Sequence, residues 1–228
     1  MDTTKERFWQ MVWQEKSVVV VGMNHEEVDY HPRESGTTVH PSIFPLHCHQ
    51  MTFGTMTVEH AGTRNLRGAY YATVLKITNG GESRMILHFS FFAWPHKRMP
   101  TKPTELLNIL TDINHNYDQL RKRSEEAGWM GASDSSPIVV CCLSGVGRSA
   151  TLVAPDIIRD KADASAKAGN CVISVRDTIV RLRTRRAHAI QMPEQYVVVT
   201  LCALEHVIRQ KHIPADKIGG LRFGKWRL

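Results

Sequence analysis

No stretch of the 228-residue chain is apolar for the ~18 positions that a membrane-spanning helix needs; the longest runs are short, such as Val18-Val19-Val20-Val21. Internal repeats and low-complexity tracts are missing too. With 42% hydrophobic and 22% charged residues, the composition excludes disorder, collagen and coiled coil. Met1-Asp2-Thr3-Thr4-Lys5-Glu6-Arg7 leads into an amphipathic stretch without an apolar core or a small-residue cleavage site, so no secretory leader is expected. Cysteines are few and odd in number, five in all, which points to reduced thiols in a cytoplasmic setting rather than a disulfide framework. Acidic residues are in the minority. The net charge of +7 favours an anionic partner without choosing among nucleic acid, acidic membrane and phosphorylated substrate.

The length suits one large domain, expected here to span residues 1–228. Residues 5–16 read as an amphipathic helix with Phe8, Trp9, Val12 and Trp13 on one face, and Trp9 and Trp13 are expected in the core. Ser17–Met23 is a β-branched run that reads as a buried strand, and Asn24–Phe53 reads as long loops. Strands are expected at Met56–Glu59, Tyr70–Ile77 and Met85–Phe92, with the hairpin signal Thr78-Asn79-Gly80-Gly81 between the last two. A helix follows over 104–126 with Thr104 as its cap, then a short apolar run at Ile138–Leu143. Further helices are expected from 148, over 174–186 and over 192–210. Strands first, helices later and one strand–glycine loop–helix unit between them predict an α/β (α+β) fold: a twisted mixed β-sheet flanked by helices.

The chemistry concentrates in Val140-Cys141-Cys142-Leu143-Ser144-Gly145-Val146-Gly147-Arg148-Ser149. An apolar strand ends in a cysteine, and a glycine-bearing loop leads to an arginine that opens a helix. Such a loop curls its N–H groups inward as an anion nest, and the helix N-terminus adds partial positive charge. Arg148 can grip two phosphate oxygens at once. A cysteine at the rim of that cradle is favoured as thiolate, hence as nucleophile. A cysteine shortly before an arginine is a weak signal by itself, and so is Gly-x-Gly. A nucleotide-binding reading lacks both the P-loop lysine and a third glycine. The joint occurrence of strand, Cys, Gly-x-Gly-Arg-Ser and helix is specific.

Cys142–Ser149 resembles the active-site signature of the cysteine-dependent protein-tyrosine phosphatases, and the resemblance extends over nearly the whole chain. Phe8-Trp9-Gln10-Met11-Val12-Trp13 is similar to the family's Phe-Trp-x-Met-Val-Trp helix, and Cys48-His49-Gln50 lies where the family has Cys-x-x-Tyr-Trp-Pro. Leu75-Lys76-Ile77-Thr78 and Gly81-Glu82-Ser83-Arg84 resemble the strand and loop that back its active site. Phe91-Phe92-Ala93-Trp94-Pro95 matches the start of the mobile Trp-Pro-Asp loop; Gln191 and Glu194-Gln195-Tyr196 match the glutamine loop. The last two matches favour the tyrosine-specific branch over dual-specificity and lipid phosphatases.

The resemblance implies phosphotyrosine hydrolysis on a protein partner, without cofactor or metal. In it Cys142 attacks phosphorus to form a phosphocysteine, while Arg148 and the amides of Leu143, Ser144, Gly145, Val146 and Gly147 hold the equatorial oxygens. Ser149 bonds the thiolate, Gln191 positions the hydrolytic water with Gln195 assisting, and Glu82 braces Arg148.

The sequence also departs from the family. His96 follows Trp94-Pro95 where the family has the aspartic general acid, a role worth about 100- to 10,000-fold. Arg98 replaces a glycine, Cys141 replaces a histidine, and Pro155 falls in the helix after the loop, at about 3 kcal/mol if the helix runs through it. Seven residues precede Phe8, where the family has a recognition loop and two strands, so an open sheet edge is expected. These departures leave three readings: an enzyme of reduced activity, a pseudophosphatase that binds without turnover, and a degenerate fold. Blander features remain. His47-Cys48-His49 has no second Cys/His pair at zinc spacing, so no metal centre is expected there. Arg181, Arg183, Arg185 and Arg186 read as a solvated helix face, with nucleic acid the weaker alternative and acidic phosphopeptides a further one. Cys171 and Cys202 read as structural.

Overall fold

The β-branched run after the first helix becomes the strand around which the sheet is organised. The structure, a computed structural model, describes residues 2–23, 43–45, 50–94, 99–100, 102–213, 222–223 and 226–227. Its elements in chain order are α1 (Asp2–Gln14), β1 (Val19–Gly22), β2 (Gln50–Phe53), β3 (Met56–Leu66), β4 (Tyr70–Asn79) and β5 (Glu82–Phe91). There follow α2 (Pro103–Glu126), β6 (Val139–Cys141), α3 (Arg148–Lys167), α4 (Val175–Arg185) and α5 (Pro193–Arg209), then the short pair β7 (Arg222–Phe223) and β8 (Trp226–Arg227). By its contacts the chain divides into two compact units, one of Met1–His96 with Thr111–Leu143, the other of Lys97–Leu110 with Ser144–Leu228.

The first unit holds a six-stranded mixed sheet in the order β2-β3-β4-β5-β1-β6. β1 is parallel to both β5 and β6, with Val20 opposite His88 on one side and Val139 on the other. A strand paired on both sides and covered on both faces needs an unbroken apolar run, which is why Val19, Val20 and Val21 are all fully buried. β2 to β5 form an antiparallel meander. Gly80 and Gly81 join β4 to β5 with φ of +58° and +88°, the pair of left-handed residues that a type I′ hairpin turn requires. Trp9 and Val12 of α1 pack with Val20, Phe44, Phe53, Met56, Val58, Leu75, Ile77 and Ile86 into the sheet core, and each such side chain contributes roughly 1.5–3 kcal/mol on burial. Trp9 Nε1 also donates to Ile43 O at 3.0 Å.

Three sequence expectations are corrected in this unit. α1 begins at Asp2 rather than at residue 5. Gln50–Phe53, expected as loop, is a strand paired with β3. β3 runs on to Leu66, past the expected end at Glu59, because its polar second half pairs with β4 across a bulge between His60 and Gly62. Among the described residues the sheet ends on β2 and β6.

The second unit is helical. Ala150, Ala154 and Ile158 recur every fourth residue on α3, a small-residue stripe that packs with Ile179 of α4 and with Val199 and Ala203 of α5. α3 continues through Pro155, which is buried. Ser174 caps α4, its hydroxyl accepting from Asp177 N at 3.2 Å. Thr104 is not a cap: α2 opens one residue earlier on Pro103, a favoured first helical position, and the Thr104 hydroxyl donates to Glu205 at 2.6 Å.

Candidate active site

Loop and helix follow each other without a spare residue. β6 ends at Cys141, Cys142 comes next, and Arg148 is the first residue of α3, with Gly147 as its N-cap. Cys142 is half-buried, while Leu143 is 99% exposed and Ser144 is exposed. Gly145 takes φ +67°, the left-handed step by which a nest reverses its amides. The turn is closed from the far side of the sequence: Ile190 N donates to Val146 O at 3.0 Å, and Arg186 Nη2 donates to Ser144 O at 3.3 Å. Space at the loop is used up. A methyl group on Gly145 would come within 2.9 Å of Arg186 Nη2, and one on Gly147 within 2.9 Å of Gln195 Nε2 and 3.6 Å of Gln191 Oε1.

Gln191 and Gln195 therefore meet the loop at Gly147, although more than forty residues separate them in the chain. Their roles differ structurally. Gln195 is buried, and its Oε1 accepts from Gln191 N at 2.8 Å and Met192 N at 3.1 Å, so it caps α5 and fixes the turn. Gln191 is exposed at the loop surface. The segment between α4 and α5 is strained: His188 and Ile190 hold φ of +62° and +60°, a genuine outlier for a β-branched residue. Arg183 secures it, with Nε donating to Ala189 O and Nη2 to Ile190 O, both at 2.9 Å. Ser149 is buried at 5% exposure, and its Oγ has no hydrogen-bond partner among the described residues. A buried hydroxyl without a partner costs roughly 1–3 kcal/mol, the kind of expense found where chemistry needs a poised donor.

In the sheet unit, Trp94 is 1% exposed. Pro95, His96 and Arg98 lie outside the described residues, as do His47, Cys48 and His49. Glu82 heads β5, exposed, with Oε2 3.6 Å from Arg84 Nη2. Both line a groove of about 900 Å³ with Lys16, Arg123 and Trp129. Desolvation lowers the Arg84 pKa more than the Glu82 carboxylate raises it. Cys202 is fully buried and burial pushes its thiol up, whereas its Sγ lies 3.7 Å from Pro103 O.

Arg183 and Arg186 are exposed, as the solvated-face reading expects, but their bonds to the Ala189, Ile190 and Ser144 carbonyls were not foreseen. Their position just before the glutamine segment is the signal that was available.

A mixed sheet, a Cys–Gly-rich loop–Arg–helix unit and a glutamine turn against the loop define a cysteine-dependent phosphatase class. The protein-tyrosine phosphatase family model matches residues 1–205, and the chain belongs to that family. It is 30% identical over 218 residues to mouse (Mus musculus) tyrosine-protein phosphatase non-receptor type 9, covering 94% of this chain and 35% of that protein. With tyrosine-protein phosphatase corkscrew of Drosophila virilis it shares 29% identity over 206 residues, 90% of this chain and 25% of the other. Caenorhabditis elegans tyrosine-protein phosphatase Lar-like gives 28% over 213 residues, 90% and 8% respectively. The chain thus spans about a third or less of the length of these relatives. No helix among the described residues is long and apolar enough to cross a membrane.

Proposed function

We propose that this chain, acting as one domain, hydrolyses phosphotyrosine on protein substrates through a phosphocysteine. The observation that carries the reading is the meeting of Gly147 with Gln191 and Gln195 at the start of α3, beside the unpartnered Ser149 hydroxyl. In the first step the Cys142 thiolate attacks phosphorus, the P–O bond to the tyrosine breaks, and the phenolic oxygen takes a proton from the group at His96. Arg148 and the loop amides hold the three equatorial oxygens, whose charge must be met as the transition state forms. In the second step a water positioned by Gln191 attacks the phosphocysteine, passing a proton back to the group at His96, and the P–S bond breaks to free phosphate and the Cys142 thiolate. Ser149 then donates its hydroxyl to the departing thiolate, which makes sulfur a better leaving group. Gln195 acts one layer back, by holding the turn that presents Gln191. The nucleophile requires a reducing, cytoplasmic setting, because a loop-stabilised thiolate is the first to oxidise.

A second reading, a pseudophosphatase that captures phosphorylated partners, is favoured by His96 in the general-acid position. Turnover of a small aryl phosphate by the purified chain, with Cys142→Ser as control, decides between them. Turnover abolished by the substitution supports the enzyme of reduced activity; no turnover with intact phosphopeptide binding supports the binder. Iodoacetate should alkylate Cys142 well below pH 7, much faster than buried Cys202, with vanadate protecting it. Equal rates at the two thiols would overturn the assignment of the nucleophile.

A further inference from the structure

The helical unit carries a second cluster of chemistry-bearing side chains, away from the loop. Asp163 projects from α3, 15 residues after Arg148 and so about 22 Å along the helix at 1.5 Å per residue. His206 sits in the last turn of α5, and His212 lies just beyond it. Both imidazoles point at one oxygen: His206 Nε2 is 2.7 Å and His212 Nε2 2.8 Å from Asp163 Oδ1. The ligand atoms of the three residues all fall within 4.8 Å of one another.

The chain is bent to bring this about. Lys211 N donates to Ile208 O at 3.0 Å and His212 N to Val207 O at 2.9 Å, the paired bonds of a Schellman motif. That motif needs a left-handed residue, usually glycine, and here Lys211 supplies it with φ +56°. The reversal swings His212 back beside His206. Their ring centroids lie 6.1 Å apart at 70°, so the two rings approach the carboxylate from different directions instead of stacking. His206 is 8% exposed, His212 19% and Asp163 39%, which leaves the cluster fixed at its base and open at one side.

We propose that Asp163, His206 and His212 form a binding site for one divalent transition-metal ion of the zinc type. Imidazole nitrogen with a single carboxylate suits Zn²⁺, Co²⁺ or Ni²⁺ and not the oxygen-seeking Mg²⁺ or Ca²⁺. Tetrahedral coordination at ~2.0–2.1 Å separates ligand atoms by roughly 3.3 Å, so the two N–O contacts need open by only about half an ångström. Three protein ligands leave the fourth position to water on the open side. The bound ion would clasp the C-terminal half of α3 to the end of α5. This inference is independent of the phosphatase reading, since none of its ligands belongs to the loop or the glutamine turn.

Co²⁺ titration into the 228-residue Cys142→Ser chain, in which the loop thiol is gone, tests it. The expected result is one Co²⁺ per chain, with tetrahedral d–d bands, no thiolate charge-transfer band, competition by Zn²⁺ and a rise in melting temperature that saturates with metal. Asp163→Asn and His212→Ala should each weaken binding at least tenfold. His212→Ala lies outside the helices, and in the Cys142-containing chain it should leave aryl phosphate turnover unchanged. No bound Co²⁺ at hundredfold excess, or a thiolate-type spectrum, overturns the proposal on the parent chain alone. Undiminished binding in both variants also overturns it and locates the ion elsewhere, such as at His47, Cys48 and His49.

Discussion

The sheet unit and the helical unit both bury polar groups, and His88 in the one and the loop residues in the other show what burial does to each. In the sheet unit His88 is fully enclosed and stacked on Phe44 at 3.7 Å; its Nε2 lies close against Gly22 and, like Ser17 Oγ and Arg84 Nε, has no hydrogen-bond partner among the described residues. Burial alone lowers its pKa to about 3, so it stays neutral. In the helical unit Ser149, Thr151 and Gln195 are buried at the loop, while buried His206 belongs to the separate cluster with Asp163. Gln195 caps the glutamine turn, the Thr151 hydroxyl donates to Gly147 O at 2.9 Å, and the Ser149 hydroxyl is held ready. Left-handed non-glycine residues occur in both units, Lys16 and Arg67 in the sheet unit and Lys211 at the end of α5, but the β-branched outlier, Ile190, stands beside the loop with His188.

Arginine substitutions should break the comparison most sharply. Arg148→Lys keeps the charge but loses the planar fork, and aryl phosphate turnover should fall about 100- to 1,000-fold. Arg84→Lys in the sheet unit should leave turnover alone. Its guanidinium lies 3.6 Å over the Trp13 ring and donates to Trp13 O at 2.8 Å, so the loss should be in stability, about 1–2 kcal/mol by urea unfolding. Equal turnover losses from both would mean that Arg148 acts only through structure.

His96→Asp comes next in size. Restoring a carboxylic acid should raise turnover of an aryl phosphate with a poor leaving group roughly tenfold or more, and less for p-nitrophenyl phosphate, whose leaving group needs little protonation. A flat response with both substrates, alongside intact phosphopeptide binding, would move the pseudophosphatase reading ahead.

The sheet has its own test, set by His88. The unfolded imidazole takes up a proton below pH ~6.5, while the folded one stays neutral until about pH 3. The unfolded state therefore binds more protons throughout that window, and stability is lost as pH falls through it. At pH 5 the loss from this group should be roughly 2 kcal/mol relative to pH 7.5, and His88→Leu should remove most of it. A pH slope unchanged in His88→Leu would place the acid sensitivity elsewhere.

Much of this was legible in the sequence because it follows from period and punctuation. The buried strand expected over Ser17–Met23, the Gly80-Gly81 hairpin, and the helices expected from 148, over 174–186 and over 192–210 each carry a local signature that tertiary packing had no reason to override. β2 and the far half of β3 were not legible. Their polar residues form strand only because a partner strand supplies the ladder, and no local propensity announces that. The loop residues Cys142–Ser149 were visible as a motif, but their holders were not. Arg186 reaches Ser144 across 42 positions, and Asp163 meets His206 across 43. A run of arginines looks the same on a solvated face and behind a loop until the fold brings the carbonyls to it.

Two glycines make the smallest and cleanest comparison. Gly80→Ala puts a methyl group into open space, since nothing lies within 4 Å, but forces a φ of +58° on a residue with a side chain. Its cost should be conformational, about 1 kcal/mol of stability, with turnover unchanged. Gly147→Ala has the opposite character. Its φ of −81° is not left-handed, and the new methyl group would stand 2.9 Å from Gln195 Nε2. Gln195 must move, and with it go the bonds that Gln191 N and Met192 N donate to its Oε1, which hold Gln191, the side chain proposed to position the water. Turnover should fall about tenfold through the second chemical step, since a misplaced group costs orientation and not affinity. A burst of phenol release followed by a slower steady state would mark the accumulated phosphocysteine. If Gly147→Ala instead lost phosphopeptide affinity with no burst, the glutamine turn would be supporting the phosphate cradle itself, and Gln191 would no longer be the residue that places the water.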